Sequence, residues 1–178
     1  MERQIPRTRP PPDFGKFIPC PACSHAAREL REMRLMGPLR EPTGNGKTHL
    51  AAAAANHLLA QGRAVLFVTA PELLAMIQDG FDSGQAEDLT GVCQRAPWLV
   101  VDDLGTERLT EWAAEVLFRI FNARYVARAH TLVASNVRPE DLAEPRLRSR
   151  FLDVAVCHRV PNSGDDYRQG RDRTGAGR

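Results

Sequence analysis

A chain of 178 residues has room for one domain with a sizeable core and short ends. Hydrophobic content of 43% and charged content of 26% are ordinary for a globular protein, and a net charge of +2 does not by itself call for nucleic acid. No apolar run approaches the roughly 20 residues of a membrane span. The N-terminal M-E-R-Q-I-P-R-T-R-P-P-P lacks a signal-peptide core, and four cysteines then suggest thiols or a metal site, so a cytoplasmic protein is expected.

Residues 1 to about 13 are rich in proline and arginine and are expected to be extended, as a solvated tail or a nucleic-acid arm. The stretch F-I-P-C-P-A-C-S-H follows, with Cys20 and Cys23 in a C-x-x-C knuckle. Two thiolates on a tight turn reach one ion, so this pair supplies half of a tetrahedral Zn2+ site. His25 is badly spaced to join it, and Cys93 and Cys157 fall in expected core elements, which keeps plain thiols as the alternative. Ala26 to Leu35 reads as a short charged helix. Leu35 to Arg40 is the place for a buried strand, and Gly37 and Pro38 make it a poor one.

Pro42-Thr43-Gly44-Asn45-Gly46-Lys47-Thr48 matches seven of the eight positions of the phosphate loop G-x-x-x-x-G-K-[ST], with Glu41 in place of the first glycine. Gly44 and Gly46 let the backbone turn tightly and aim N–H groups at phosphate oxygens. Lys47 reaches the β- and γ-phosphates of ATP, and the Thr48 hydroxyl ligates Mg2+. Thr43, Asn45 and His49 complete the stretch expected to hold nucleotide, at the positive end of an Ala-rich helix. The alternative is a chance glycine turn, and the Glu41 carboxylate, repulsive beside a triphosphate, speaks for it. Lys16 and Lys47 are the only lysines against 22 arginines, so this arginine-biased chain keeps a compact ammonium where a phosphate site needs one.

Beyond the loop the pattern is clean. His49 to Gln61 is a helix ended by Gly62, and Ala64 to Thr69 is an apolar strand of the kind buried in parallel sheets. Pro71 opens a helix with Leu73, Leu74 and Ile77 on one face, and polar Asp79 to Asp88 is expected to be a loop. A short helix through Val92 leads to the strand from Trp98, which ends in Asp102 and Asp103. Glu111 to Arg128 is an amphipathic helix with Ala113, Val116, Leu117, Ile120 and Phe121 at i, i+3, i+4, i+7 and i+8 spacing. Its Arg119, Arg124 and Arg128 either meet nucleic-acid phosphates or form a solvated face.

Thr131 to Ser135 is a third strand, closed by Asn136. Pro139 to Phe151 reads as arginine-rich helical pieces, Val154 to Val160 as a last, shorter strand, and Gln169 to Arg178 as a disordered tail. Strands alternating with helices predict an α/β domain with a parallel sheet.

The candidate chemistry sits at strand ends. Asp102 and Asp103 follow four apolar residues, so Asp102 is expected to hold Mg2+ and Asp103 to polarise an attacking water, the alternative being that they merely cap a strand before Gly105. Asn136 is either a turn residue or an amide that orients that water. Arg146 and Arg150 lie in R-L-R-S-R-F and are either a solvated basic face or a source of a cation for a neighbouring subunit's site.

Together these stretches resemble the AAA+ ATPases of the DnaC/IstB type, helicase loaders and transposition helpers. The matching words are G-N-G-K-T-H-L-A-A-A, V-L-F-V-T, L-V-V-D-D-L-G-T-E, F-N-A-R-Y, S-N, R-L-R-S-R-F and D-Y-R, from about Thr43 to Arg168. The resemblance implies a P-loop three-layer sandwich with a parallel sheet, ATP and Mg2+ as ligands, and Asn136 as sensor 1. It implies Arg150 as the arginine finger, with Arg146 second. It also implies a homo-oligomer that engages DNA, single-stranded in expectation, with a replicative helicase or a transposase.

The front departs from the family pattern, with a poor strand and Glu41, as if a block before the loop were lost. Residues 1–40 therefore read as a tail with a partial knuckle, 41–168 as the ATP-binding core and 169–178 as a second tail. Helicase loading is the leading function and transposition helper the next. A P-loop pseudoenzyme without turnover and a zinc-dependent nucleic-acid module remain as other classes.

Overall fold

The computed structural model describes residues 46–82, 86–105 and 110–160. The Cys20/Cys23 knuckle, the strand expected over Leu35 to Arg40, the loop residues Glu41 to Asn45, the D-Y-R stretch and the C-terminal tail lie outside them. Within the described residues a three-stranded parallel sheet runs in the order β1 (Val65–Thr69), β2 (Trp98–Leu104), β3 (His130–Ser135). Helices α1 (Lys47–Ala60), α2 (Ala70–Asp82), α3 (Ala86–Arg95), α4 (Glu111–Val126) and α5 (Pro145–Leu152) connect and flank it, with a 3-10 turn at Pro139–Asp141.

Side-chain alternation sorts the strands onto two cores. Val100, Leu132 and Ala134 face α1 and pack against Leu50, Ala51, Ala55 and Val160. Leu99, Val101 and Val133 face the other way, onto α2, α4 and α5 through Leu73, Ile77, Leu117, Ile120, Leu147 and Phe151. The result is helix, sheet, helix: the α/β sandwich expected from the sequence. No described helix is long and apolar enough to cross a membrane.

Local chemistry sets the borders. Thr69 and Glu72 form a capping box that starts α2: the Thr69 hydroxyl donates to Glu72 Oε2 at 3.0 Å, and the Glu72 N–H donates to Thr69 Oγ1 at 3.3 Å. Thr110 caps α4 by accepting from the Ala113 N–H at 3.2 Å. That helix stops at Val126 rather than Arg128, because Arg128 takes a left-handed φ of 49°.

Two expectations need correction. Asp79 to Asp88 is mostly helical, since α2 runs to Asp82 and α3 begins at Ala86. Gly80 is buried, and Phe81 meets the Trp112 ring edge-on with centroids 6.0 Å apart, so tertiary contact holds the last turn in place. Val154 to Val160 does not form the expected strand: its first half is a turn, and His158 alone makes a single β-bridge. The N–H groups of Val156 and Cys157 both return to the Asp153 carbonyl, at 3.1 and 2.7 Å, and the Ala155 N–H donates to Asp153 Oδ1, which makes a turn.

Candidate functional site

The site begins where α1 leaves the glycine turn. Gly46 takes φ 88°, a conformation that a side chain would strain, and as N-cap it gives the helix behind it no side-chain hydrogen bond. The first turn of α1 has no acidic residue and contains Lys47, buried at its start. A helix start that opens on glycine and carries a lysine suits an anion.

Asp102 comes to this helix start from β2. It shares the α1 face of the sheet with Val100, and it is buried. The Thr48 side chain lies beside its carboxylate and favours the charged form. Burial raises the Asp102 carboxyl above its ordinary range, the Thr48 hydrogen bond opposes that, and the neighbouring Asp103 charge adds to it. A hydroxyl and a carboxylate oxygen side by side suit a hard divalent cation such as Mg2+. No group of three or more His, Cys, Asp or Glu side chains among the described residues forms a metal cluster, so these hold no zinc-type site.

Asp103 does not continue the strand regularly. Val101 pairs with Val133 and Leu104 with Ser135, so β2 has one extra residue there, a bulge. Asp103 itself has φ 55°, an uncommon state for a residue with a side chain. Without the bulge, strict alternation would put this second carboxylate on the face opposite Asp102.

Asn136 is exposed directly after β3, at the same end of the sheet as the two aspartates. Its buried neighbour Ser135 ties the two strand ends together, with Oγ 2.6 Å from the Leu104 carbonyl oxygen.

Arg146 and Arg150 both lie on α5 and both fold onto α4. Arg146 pairs with Glu115 at 2.8 Å and Glu144 at 2.7 Å, and its guanidinium carbon is 4.2 Å from the Phe118 ring centroid. Arg150 Nε donates to Asn122 Oδ1 at 3.1 Å, and the guanidinium lies over the Tyr125 ring at 4.8 Å. The Tyr125 hydroxyl in turn donates to Asp153 Oδ2. Phe121 meets Phe151 edge-on at 5.2 Å.

F-N-A-R-Y is therefore the strip onto which α5 docks, a role sequence reading missed. The signal was present as aromatic and amide residues at helical spacing opposite an arginine-rich helix. Arg124 corrects an expectation: it is not on a phosphate-facing surface but buried. Its donors reach the carbonyls of Cys93 (2.8 Å), Ala96 (2.8 Å) and His130 (2.6 Å) and the Thr131 hydroxyl (2.9 Å). Arg119 and Arg128 are exposed, as expected.

Comparison with known proteins fits this geometry. A family profile described as "IstB-like ATP binding protein" matches residues 26–175. The replicative helicase loader DnaC of Escherichia coli K12 is 30% identical over 112 residues, covering 62% of this chain and 45% of that protein. A putative insertion sequence ATP-binding protein, y4pL of Sinorhizobium fredii, is 30% identical over 138 residues, covering 74% of this chain and 56% of the relative. The chain thus spans about half the length of these curated relatives. Among solved structures, AMPPCP-bound DnaA from Aquifex aeolicus superposes with a TM-score of 0.70 at 23% identity, covering 85% of this chain and 50% of that one. The likeness places the fold among AAA+ P-loop domains.

Proposed function

This chain belongs to the family of IstB-like ATP binding proteins, and from that premise we propose that it is an ATP-hydrolysing motor serving DNA transactions in the cytoplasm. The observation that carries the reading is the placement of Thr48 beside Asp102 at the glycine-led start of α1. Thr43 to His49 hold the phosphates, with Lys47 as the counter-charge. Thr48 and Asp102 hold Mg2+, which when bound neutralises charge on the phosphates. Asp103 takes a proton from, or orients, the attacking water, and Asn136 fixes that water's position. Arg150 serves the site of a neighbouring copy, with Arg146 second, so the working state is a homo-oligomer.

The partner is single-stranded DNA together with a replicative helicase, as the helicase-loader relative suggests. Service to a transposase is the second reading, favoured by the longer match to the insertion-sequence protein. The deciding experiment is ATP binding and hydrolysis by the full chain beside Lys47→Ala, with and without single-stranded DNA. Lys47-dependent turnover is expected. Binding without turnover would replace the motor with a nucleotide-gated switch, and no binding by a folded chain would overturn the reading. Co-purification with a replicative helicase rather than a transposase separates the two services.

A further inference from the structure

Three features meet at one point beneath the two aspartates and Asn136. Ser135 is 1% exposed, and its oxygen lies 2.6 Å from the Leu104 carbonyl oxygen and 3.0 Å from that of Val137, while accepting from the Val137 N–H at 2.9 Å. A hydroxyl has one proton, so two carbonyls share it. Leu104 stands between two left-handed residues, Asp103 at φ 55° and Gly105 at φ 85°. The far side of that turn is closed as well: a Cβ on Gly105 would stand 3.0 Å from Val137 Cγ2 and 3.6 Å from Leu142 Cδ2.

We propose that Ser135 is a positioning residue, whose hydroxyl clamps the Asp103–Gly105 turn to the loop carrying Asn136 so that both move as one unit during hydrolysis. The inference rests on the motor reading for its effect on turnover, but not for the clamp itself. The bulge frees Asp103 from regular pairing with β3. A strained residue persists only where its surroundings over-determine it. Here the surroundings are the Leu104 carbonyl, held by Ser135, and the Gly105 backbone, held against Val137. The same oxygen accepts from the residue after Asn136. Displacing either end relative to the other therefore costs a buried hydrogen bond to this one oxygen.

The test compares Ser135→Ala with Val133→Ala, a core truncation on the same strand that leaves the hydroxyl in place. In Ser135→Ala, affinity for a fluorescent ATP analogue is expected to stay within about twofold of wild type while kcat falls about tenfold or more, the size of loss that small misplacement produces. Hydrogen exchange should accelerate together in peptides covering Asp103–Gly105 and Asn136–Arg138. Val133→Ala should lose stability without either change, and Ser135→Thr should restore kcat if the added methyl is accommodated. Equal loss of kcat in Ser135→Ala and Val133→Ala, or exchange that rises at one segment alone, would overturn the clamp. A wild-type chain without Lys47-dependent turnover would remove the motor reading and the hydrolytic role of Ser135. The exchange result would then decide the clamp on its own.

Discussion

The Thr48 side chain stands against the Asp102 carboxylate, bringing the first turn of α1 to the end of β2. That carboxylate is buried, and burial raises its protonation range, with Lys47 and Thr48 opposing. On the proposed reading, a bound cation and polyphosphate would offset that cost.

Asp102→Asn should therefore stabilise the ligand-free protein at neutral pH while removing turnover. A carboxyl raised in the folded state keeps a proton that the unfolded chain has released. Stability accordingly falls as pH rises from the unfolded value of about 3.9 through the raised folded one. Thermal melts at pH 7 should show Asp102→Asn higher by about 2–4 °C for each kcal/mol relieved. The advantage should shrink toward pH 4. Hydrolysis should drop by about a hundredfold or more. A melt lower than wild type at pH 7 would mean the carboxylate is a net stabiliser.

Arg124 predicts the opposite behaviour, a pure stability effect. Burial pushes its guanidinium down to about 10, still charged at neutral pH, and its donors satisfy carbonyls from α3, the turn after it and β3. Arg124→Met strands those acceptors in the interior and should cost about 3 kcal/mol or more in urea unfolding. Arg124→Lys should rescue little, since an ammonium cannot span the same fork. Wild-type stability in Arg124→Met would mean that water replaces the guanidinium.

Arg124 also shows where the sequence was and was not readable. The amphipathic period of α4 marked Ala113, Val116, Leu117, Ile120 and Phe121 as core, and all five are buried. It could not mark Arg124, because a buried arginine looks identical to a solvated one until its carbonyl partners are placed. The aspartates and Asn136 were legible because they end apolar runs. The bulge at Asp103 was not, since nothing in L-V-V-D-D-L-G announces an extra residue against β3. The helical turns inside Asp79 to Asp88 were hidden for a related reason, as Phe81 gains its partner Trp112 only in three dimensions.

The pose of Arg150 leads to a test of action between subunits. With Nε on Asn122 and its guanidinium over Tyr125, the side chain is held on its own helix pair rather than left loose. Arg150→Ala should bind nucleotide normally and lose turnover by about a thousandfold. Mixing Arg150→Ala with Lys47→Ala should restore part of it, because each supplies what the other lacks at a shared interface. Asn122→Ala should lower kcat without moving nucleotide affinity. Mixtures no more active than their components would place Arg150 outside the neighbouring site.

Cys93 and Cys157 close the argument, because their reactivity reports whether this packing holds. Burial pushes both thiols up to about 11, so at pH 8 only about one molecule in a thousand carries either thiolate. Cys157 is further engaged, with Sγ donating to the Arg150 carbonyl at 3.2 Å inside the Asp153 turn. Iodoacetamide at pH 8 should leave both unmodified in the native chain and label both in denaturant, as read by peptide mass spectrometry. Cys93 lies at the end of α3 against Arg124 and Cys157 just after α5 against the Arg150 carbonyl, so the two report on how α3 and α5 each pack at the C-terminal end of α4. Native labelling of Cys157 alone would mean that the turn after α5 opens, and with it the anchor of Arg150. Arg124→Met should expose Cys93 first, because the carbonyl that its guanidinium holds belongs to that residue.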